Sequence, residues 1–141
     1  MLKNIFLVED DEDDQLFFKE AIQQMGDSFY CTIASNGRKA LEILNTSAAL
    51  PDIIFLDINM PELNGFECLR ELKKSARFNK IPVVILSTSI SMDDILDPEN
   101  EGVSMFFNKP SSFKTLSTLL KNILDVSSFS KVSKIKNPIL R

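Results

Sequence analysis

The side chains able to do chemistry stand at four places in the chain: Glu9-Asp10, Asp57, Ser87-Thr88 and Lys109. The sequence has no histidine, which excludes Ser-His-Asp and Cys-His catalysis and any His-ligated zinc. Two cysteines, Cys31 and Cys68, can make neither a four-thiolate site nor a disulfide framework, and read as packing residues. Carboxylates, lysine, hydroxyls and backbone remain, a donor set suited to a hard cation such as Mg2+. Gathering Glu9, Asp10 and Asp57 without a cation would set like charges side by side and raise at least one pKa. A divalent ion relieves that repulsion, and Mg2+ commonly sits beside a phosphoryl group. A carboxylate next to Mg2+ and a lysine can attack phosphorus and form an acyl phosphate. The cation and Lys109 would spread the charge developing on the equatorial oxygens, and the Ser87 hydroxyl could bond one of them.

Such chemistry requires residues a hundred positions apart to share one edge of the molecule. Short apolar runs supply the frame: Ile5–Val8, Phe29–Ala34, Ile53–Leu56, Val83–Leu86 and Met105–Phe107. The central runs lack polar alternation, as strands covered on both faces of a parallel sheet do. Between them, Leu16, Phe17, Ala21, Ile22 and Met25 predict an amphipathic helix stopped by Gly26. Asn36-Gly37 opens a helix over Arg38–Asn45, and Phe66, Leu69 and Leu72 follow Gly65 in another. Ser112 can cap a last helix bearing Phe113, Leu116, Leu120, Ile123 and Leu124. The fourth helix, Met92–Glu101, carries Pro98 in its interior, so a short or broken element is expected there. Five β-α units with right-handed crossovers predict a doubly wound α/β sandwich. Ligand sites in such sheets lie at the carboxyl ends of the strands. Strand 1 ends in Glu9-Asp10, strand 3 in Asp57, strand 4 in Ser87-Thr88 and strand 5 in Asn108-Lys109-Pro110.

The 141 residues, 44% hydrophobic and 26% charged, fit one domain. No apolar run approaches the roughly 18 residues of a membrane span, and the N-terminus turns acidic by Glu9, too early for a signal peptide. A cytoplasmic protein is expected. Residues 1–125 hold 12 Lys and Arg against 20 Asp and Glu, whereas residues 126–141 hold four basic residues and no acid. An acidic body with a short basic tail is a poor nucleic-acid binder. The expected organisation is a domain over 1–125 and a solvated tail over 126–141, too short to fold as an effector domain. Asp11, Glu12, Asp13 and Asp14 read as solvated acids at a helix start.

At the site residues the chain resembles the response-regulator receiver domains of two-component signalling, the CheY-like family. FLVEDDEDD, PDIIFLDINMPELNG, IPVVILSTS and GVSMFFNKP carry the likeness in order from about Asn4 to Leu124. The D-x-N-M-P-x-x-x-G pattern from Asp57 to Gly65 is the most specific of them. The acidic start and the L-S-T-S segment are similar to stand-alone regulators of the phytochrome-partner subgroup.

The resemblance implies a flavodoxin-like (βα)5 sandwich with strand order 2-1-3-4-5. It also implies a role for each matched residue. Asp57 matches the phosphoacceptor and a Mg2+ ligand, Asp10 the direct Mg2+ ligand beside it, and Glu9 the acid that holds the ion through water. Asn59 matches the position whose backbone carbonyl ligates the metal; Mn2+ can substitute for Mg2+. Lys109 matches the phosphate-binding lysine, with Ser87 and Thr88 beside the phosphoryl group, and Pro110 follows a cis bond in such domains. Ser87 and Phe106 match the hydroxyl and aromatic members of the switch. The implied partners are a sensor histidine kinase or phosphotransfer protein, a downstream protein target, and a second copy bound through the face of helix 4, strand 5 and helix 5. The implied role is signalling and not enzymatic turnover. Two other readings compete: a phosphorylation-independent pseudo-receiver scaffold, which usually lacks site residues that are all present here, and an Mg2+-dependent phosphohydrolase. The latter needs an acid two residues after the nucleophile, where this chain has Asn59.

Overall fold

The computed structural model describes residues 3–88 and 90–124 and the backbone of 139–140. Five parallel strands, β1 (Lys3–Val8), β2 (Phe29–Ala34), β3 (Ile53–Leu56), β4 (Val83–Ser87) and β5 (Met105–Asn108), lie in the order β2-β1-β3-β4-β5. Every residue of β3 and β4 is buried, as expected of central strands with helices on both faces. Helices α1 (Glu12–Gln24) and α5 (Phe113–Leu124) cover one face, over Ile5, Leu7, Phe55, Val84 and Phe107. Helices α2 (Gly37–Thr46) and α3 (Gly65–Lys74) cover the other, over Phe6, Val8, Ile54, Leu56 and Ile85. This is the doubly wound sandwich that the alternating runs predict.

The sheet has one strand more than expected. Ile139–Leu140 form β6, parallel to β5, with Phe106 opposite Ile139 and Phe107 opposite Leu140. An edge strand presents unpaired N–H and C=O groups, and two residues from the end of the chain meet them here. The rest of the expected solvated tail lies outside the described residues.

Local signals start and stop the helices. Asp11 caps α1 by accepting from the N–H of Asp13 (2.8 Å) and Asp14 (3.2 Å), and Gly26, at φ +100°, follows its last turn. Asn36 caps α2, accepting from Lys39 N–H at 2.8 Å. Asn64 and Glu67 form a reciprocal capping box on α3. Ser112 accepts from Thr115 N–H at 3.1 Å at the start of α5.

The buried face of α1 departs from the expected one. Phe18, Ala21 and Ile22 are buried, while Leu16 and Phe17 are 54% and 48% exposed. Phe18 meets Phe55 edge-on, ring centroids 5.0 Å apart, and this contact sets the rotation of the helix. The fourth helix breaks as expected: α4 spans only Met92–Leu96, and Pro98 opens a separate 3-10 turn, Pro98–Asn100. Proline fits there because the N–H at the first helical position has no acceptor within the helix, so none is lost.

Candidate functional site

Parallel pairing brings the acids together. The N–H of Glu9 donates to Ala34 carbonyl (3.0 Å) and that of Asp57 to Val8 carbonyl (3.0 Å), so the ladder continues to the last residue before the site. Glu9 and Asp57 are buried, at 2% and 6% exposure, and Asp10 faces solvent. One carboxylate oxygen from each of Glu9, Asp10 and Asp57 lies within 4.8 Å of the others.

The loop after β3 holds Asp57 by its backbone. A Cβ on Gly65 would lie 2.3 Å from the Asp57 carbonyl oxygen and 2.8 Å from Ile58 Cα, so only glycine allows α3 to start this close to the acid. The N–H of Asn59 donates to Asp57 Oδ1 at 3.3 Å, and its side-chain amide donates to Ser87 Oγ at 3.2 Å. Ser87 is fully buried at the end of β4, and Thr88 is exposed. Phe106, opposite Ile85 in the sheet, is buried in the α2–α3 core.

Lys109 enters from the end of β5, fixed by its N–H donating to Ser87 carbonyl at 2.9 Å. Its Nζ is 2.5 Å from Glu9 Oε1, 2.8 Å from Asp14 Oδ2 and 3.6 Å from Asp57 Oδ2. Burial alone would lower the pKa of this ammonium, but Asp14 and Glu9 more than offset it and push it above the usual lysine range. Burial would likewise raise the Asp14 carboxyl, yet its bonds to Glu9 and Lys109 hold it below the usual value. Glu9 moves the other way. Burial, with Asp57 and Asp14 alongside, pushes it up to about 9 against the pull of Lys109.

These features test the site's fitness for a divalent ion. Glu9 Oε2 is buried and has no hydrogen-bond partner among the described residues. An orphaned buried oxygen beside two further carboxylates is a hard, anionic donor set, and it fits Mg2+ or Mn2+. Beside it a cleft of about 400 Å3 runs between α1 and α5, walled by Phe17, Phe18, Leu86, Phe113 and Leu116, with Glu9, Asp57 and Lys109 also lining it.

The response regulator receiver domain family matches residues 5–121. The chain belongs to that family. Among related proteins, it is 32% identical over 123 residues to the probable methanogenesis regulatory protein FilR2 of Methanothrix harundinacea, covering 84% of this chain and 79% of that protein. It is 29% identical over 126 residues to the response regulator Rcp1 of Synechocystis sp., covering 86% of each. The phosphorylated cyanobacterial phytochrome response regulator RcpA superposes with a TM-score of 0.81 at 32% identity, covering 91% of this chain and 98% of that one. The Mn2+-bound form of Rcp1 superposes with a TM-score of 0.76 at 28% identity, covering 88% and 93%. The stand-alone, CheY-like type of receiver suggested by the sequence is thus the type this receiver is similar to.

One expected feature of this receiver is corrected and one residue is added. Among the described residues no peptide bond is cis, so Lys109–Pro110 is trans, the isomer an X-Pro bond favours by about 0.5–1 kcal/mol when its surroundings do not reverse the preference. Asp14, expected to be a solvated acid at a helix start, instead reaches Lys109. The signal for it is faint: a third helical position, in a first turn of α1 that Gln15 ties to β1 by donating from Nε2 to the Glu9 carbonyl (2.6 Å). Cys68 is buried and Cys31 half-buried. Both are free thiols that burial pushes up to about 12, too high for a reactive thiolate.

Proposed function

We propose that this receiver accepts a phosphoryl group on Asp57 from the phosphohistidine of a sensor kinase or phosphotransfer protein, with Mg2+, and signals by protein–protein contact. The observation that carries the reading is the juxtaposition of Asp57 with two further carboxylates within 4.8 Å and a lysine at 3.6 Å. An Asp57 oxygen forms the new O–P bond, the N–P bond of the donor breaks, and its electron pair stays on the imidazole nitrogen. Glu9, Asp10 and Asp57, with the Asn59 carbonyl, would hold the ion, which supplies charge neutralisation at the phosphoryl oxygens. Lys109 offers a donor to one of those oxygens, while Ser87 and Thr88, at the end of β4, offer hydroxyls.

The protein's own residues supply positioning and electrostatics. The side chain two residues after Asp57 is the Asn59 amide, engaged with Ser87. That supports a signalling role over hydrolysis of an external phosphoester. In the phosphorylated state Ser87 moves toward the phosphoryl group and Phe106 takes the space it leaves. This is a shift between two packings whose size is set by how differently they bind the phosphoryl group. The face of α4, β5 and α5 then carries the output to a downstream protein or a second copy. Residues 1–125 form the receiver and 126–141 an appended basic segment. Two free thiols fit a cytoplasmic setting. No described helix is long and apolar enough to cross a membrane.

Incubation with acetyl phosphate and Mg2+, followed by intact mass measurement, tests the reading. The wild-type chain should gain one phosphoryl group and Asp57→Asn none. An unchanged phosphorylated fraction in the variant would overturn it.

A further inference from the structure

We propose that Asp14 is a positioning residue for Lys109: it draws the ammonium toward α1 in the resting site and so sets how tightly the site takes a phosphoryl group. This rests on the reading of Asp57 as phosphoacceptor. Lys109 Nζ lies 2.8 Å from Asp14 Oδ2 but 3.6 Å from Asp57 Oδ2. The resting ammonium therefore leans away from the atom it is to serve.

An ammonium has three N–H donors and no acceptor; two go to Glu9 and Asp14, so the third reaches a phosphoryl oxygen on Asp57 only as far as those two bonds let the ammonium approach. The bond to Glu9 is the poorer one to give up. Glu9 is 2% exposed, and parting its carboxyl from the ammonium would leave a buried polar group without its partner. The Asp14 side chain is 41% exposed, and its carboxylate can exchange the lysine for water at small cost. Asp14 is thus the partner that Lys109 leaves.

The placement of Asp14 is built and not a chance of a long side chain. Its backbone N–H is capped by Asp11 at 3.2 Å, and the next residue, Gln15, binds the Glu9 carbonyl at 2.6 Å. Its neighbour Asp13 is exposed and shares the same cap. Asp13 therefore removes the same charge from the same turn when substituted, without a bond to Lys109 among those seen.

The test measures the dissociation constant of beryllofluoride, a phosphoryl mimic, on the full chain in saturating Mg2+ by 19F NMR. Asp14→Asn keeps the shape and removes the charge that competes for the ammonium. It should tighten binding about threefold, the scale of a partly exposed ion pair. Asp13→Asn should change it much less, and Asp14→Glu, which restores the charge, should move it back toward wild type. The sign separates this from a purely structural role: Asp14→Asn also loses the ion pair with Lys109 and should lower Tm more than Asp13→Asn, and a merely destabilised site would bind beryllofluoride more weakly, not more tightly. If Asp14→Asn binds no more tightly than Asp13→Asn, Asp14 does not act through Lys109 and the proposal is overturned. If wild type takes up no beryllofluoride, the phosphoacceptor reading falls and this inference with it.

Discussion

The segment from Asp57 to Gly65 and the segment from Ile90 to Val103 both leave the carboxyl end of a central strand, yet they are held in opposite ways. The first is fixed by backbone. Gly65 N–H donates to Ile58 carbonyl at 3.1 Å, its missing Cβ lets α3 abut Asp57, and Ile58 and Met60 are buried. The second has no buried residue in α4, and Met92 and Leu96 are 59% and 70% exposed. It is tethered by the buried Asn100, whose amide donates to Asp94 carbonyl at 2.8 Å, by an Arg70–Glu99 ion pair at 3.0 Å, and by partial packing of Ile90, Ile95 and Val103. The contrast shows where rigidity is placed. The loop after Asp57 is held by backbone contacts already in place, and the segment beside β5 can rearrange at low cost because few buried contacts must break.

The largest effect that would break this comparison belongs to the Asp57 side. Asp10→Ala removes an oxygen offered to the ion, and both Mg2+ binding and phosphorylation should be lost; calorimetric titration with Mg2+ checks the first. A variant that titrates like wild type would place the ion elsewhere. Next in size is Gly65→Ala. Its added Cβ meets backbone and not a pliable side chain, so unfolding free energy should fall by about 1–3 kcal/mol. Urea denaturation would show a lower midpoint at unchanged slope.

A graded, pH-dependent effect comes from Glu9. Its pKa is raised from 4.5 to about 9 by folding, so between those pH values the folded chain holds a proton that the unfolded chain releases. Metal-free stability should therefore be greatest below about pH 4.5 for this group and decline as pH rises through 9. Glu9→Gln should flatten that slope. Mg2+ should bind more tightly as pH rises over the same window, because binding displaces the proton. Denaturation midpoints at several pH values, with and without Mg2+, measure both. The smallest effect is expected on the other segment. Glu99→Ala breaks an exposed ion pair and should cost less than about 1 kcal/mol globally. It should nonetheless speed amide exchange over residues 91–101, while exchange over 57–65 stays unchanged.

The frame and much of the site were legible because both depend on local pattern. Uninterrupted apolar runs mark β3 and β4, and the residue after each run lands at the ligand edge by geometry alone. Pro98 announced the broken α4 in the same way. What could not be read depends on contacts between distant segments. Phe18 and not Phe17 turns inward because Phe55 waits across the sheet. Asp14 joins the site only because β5 delivers Lys109 opposite the first turn of α1. Ile139 and Leu140 find β5 because its edge is open, which nothing in a short basic tail foretells. The isomer of Lys109–Pro110 is likewise a matter of tertiary surroundings and not of the dipeptide.

The central claim is that Asp57 is the acceptor, and mapping the modified carboxylate tests it most directly. Borohydride reduces an acyl phosphate on aspartate to homoserine, which peptide mass spectrometry locates in the chain. After treatment with acetyl phosphate and Mg2+, the account predicts homoserine at position 57 alone, and none when Mg2+ is withheld. Homoserine at position 10 or at another aspartate, or none at all with Mg2+ present, would contradict it.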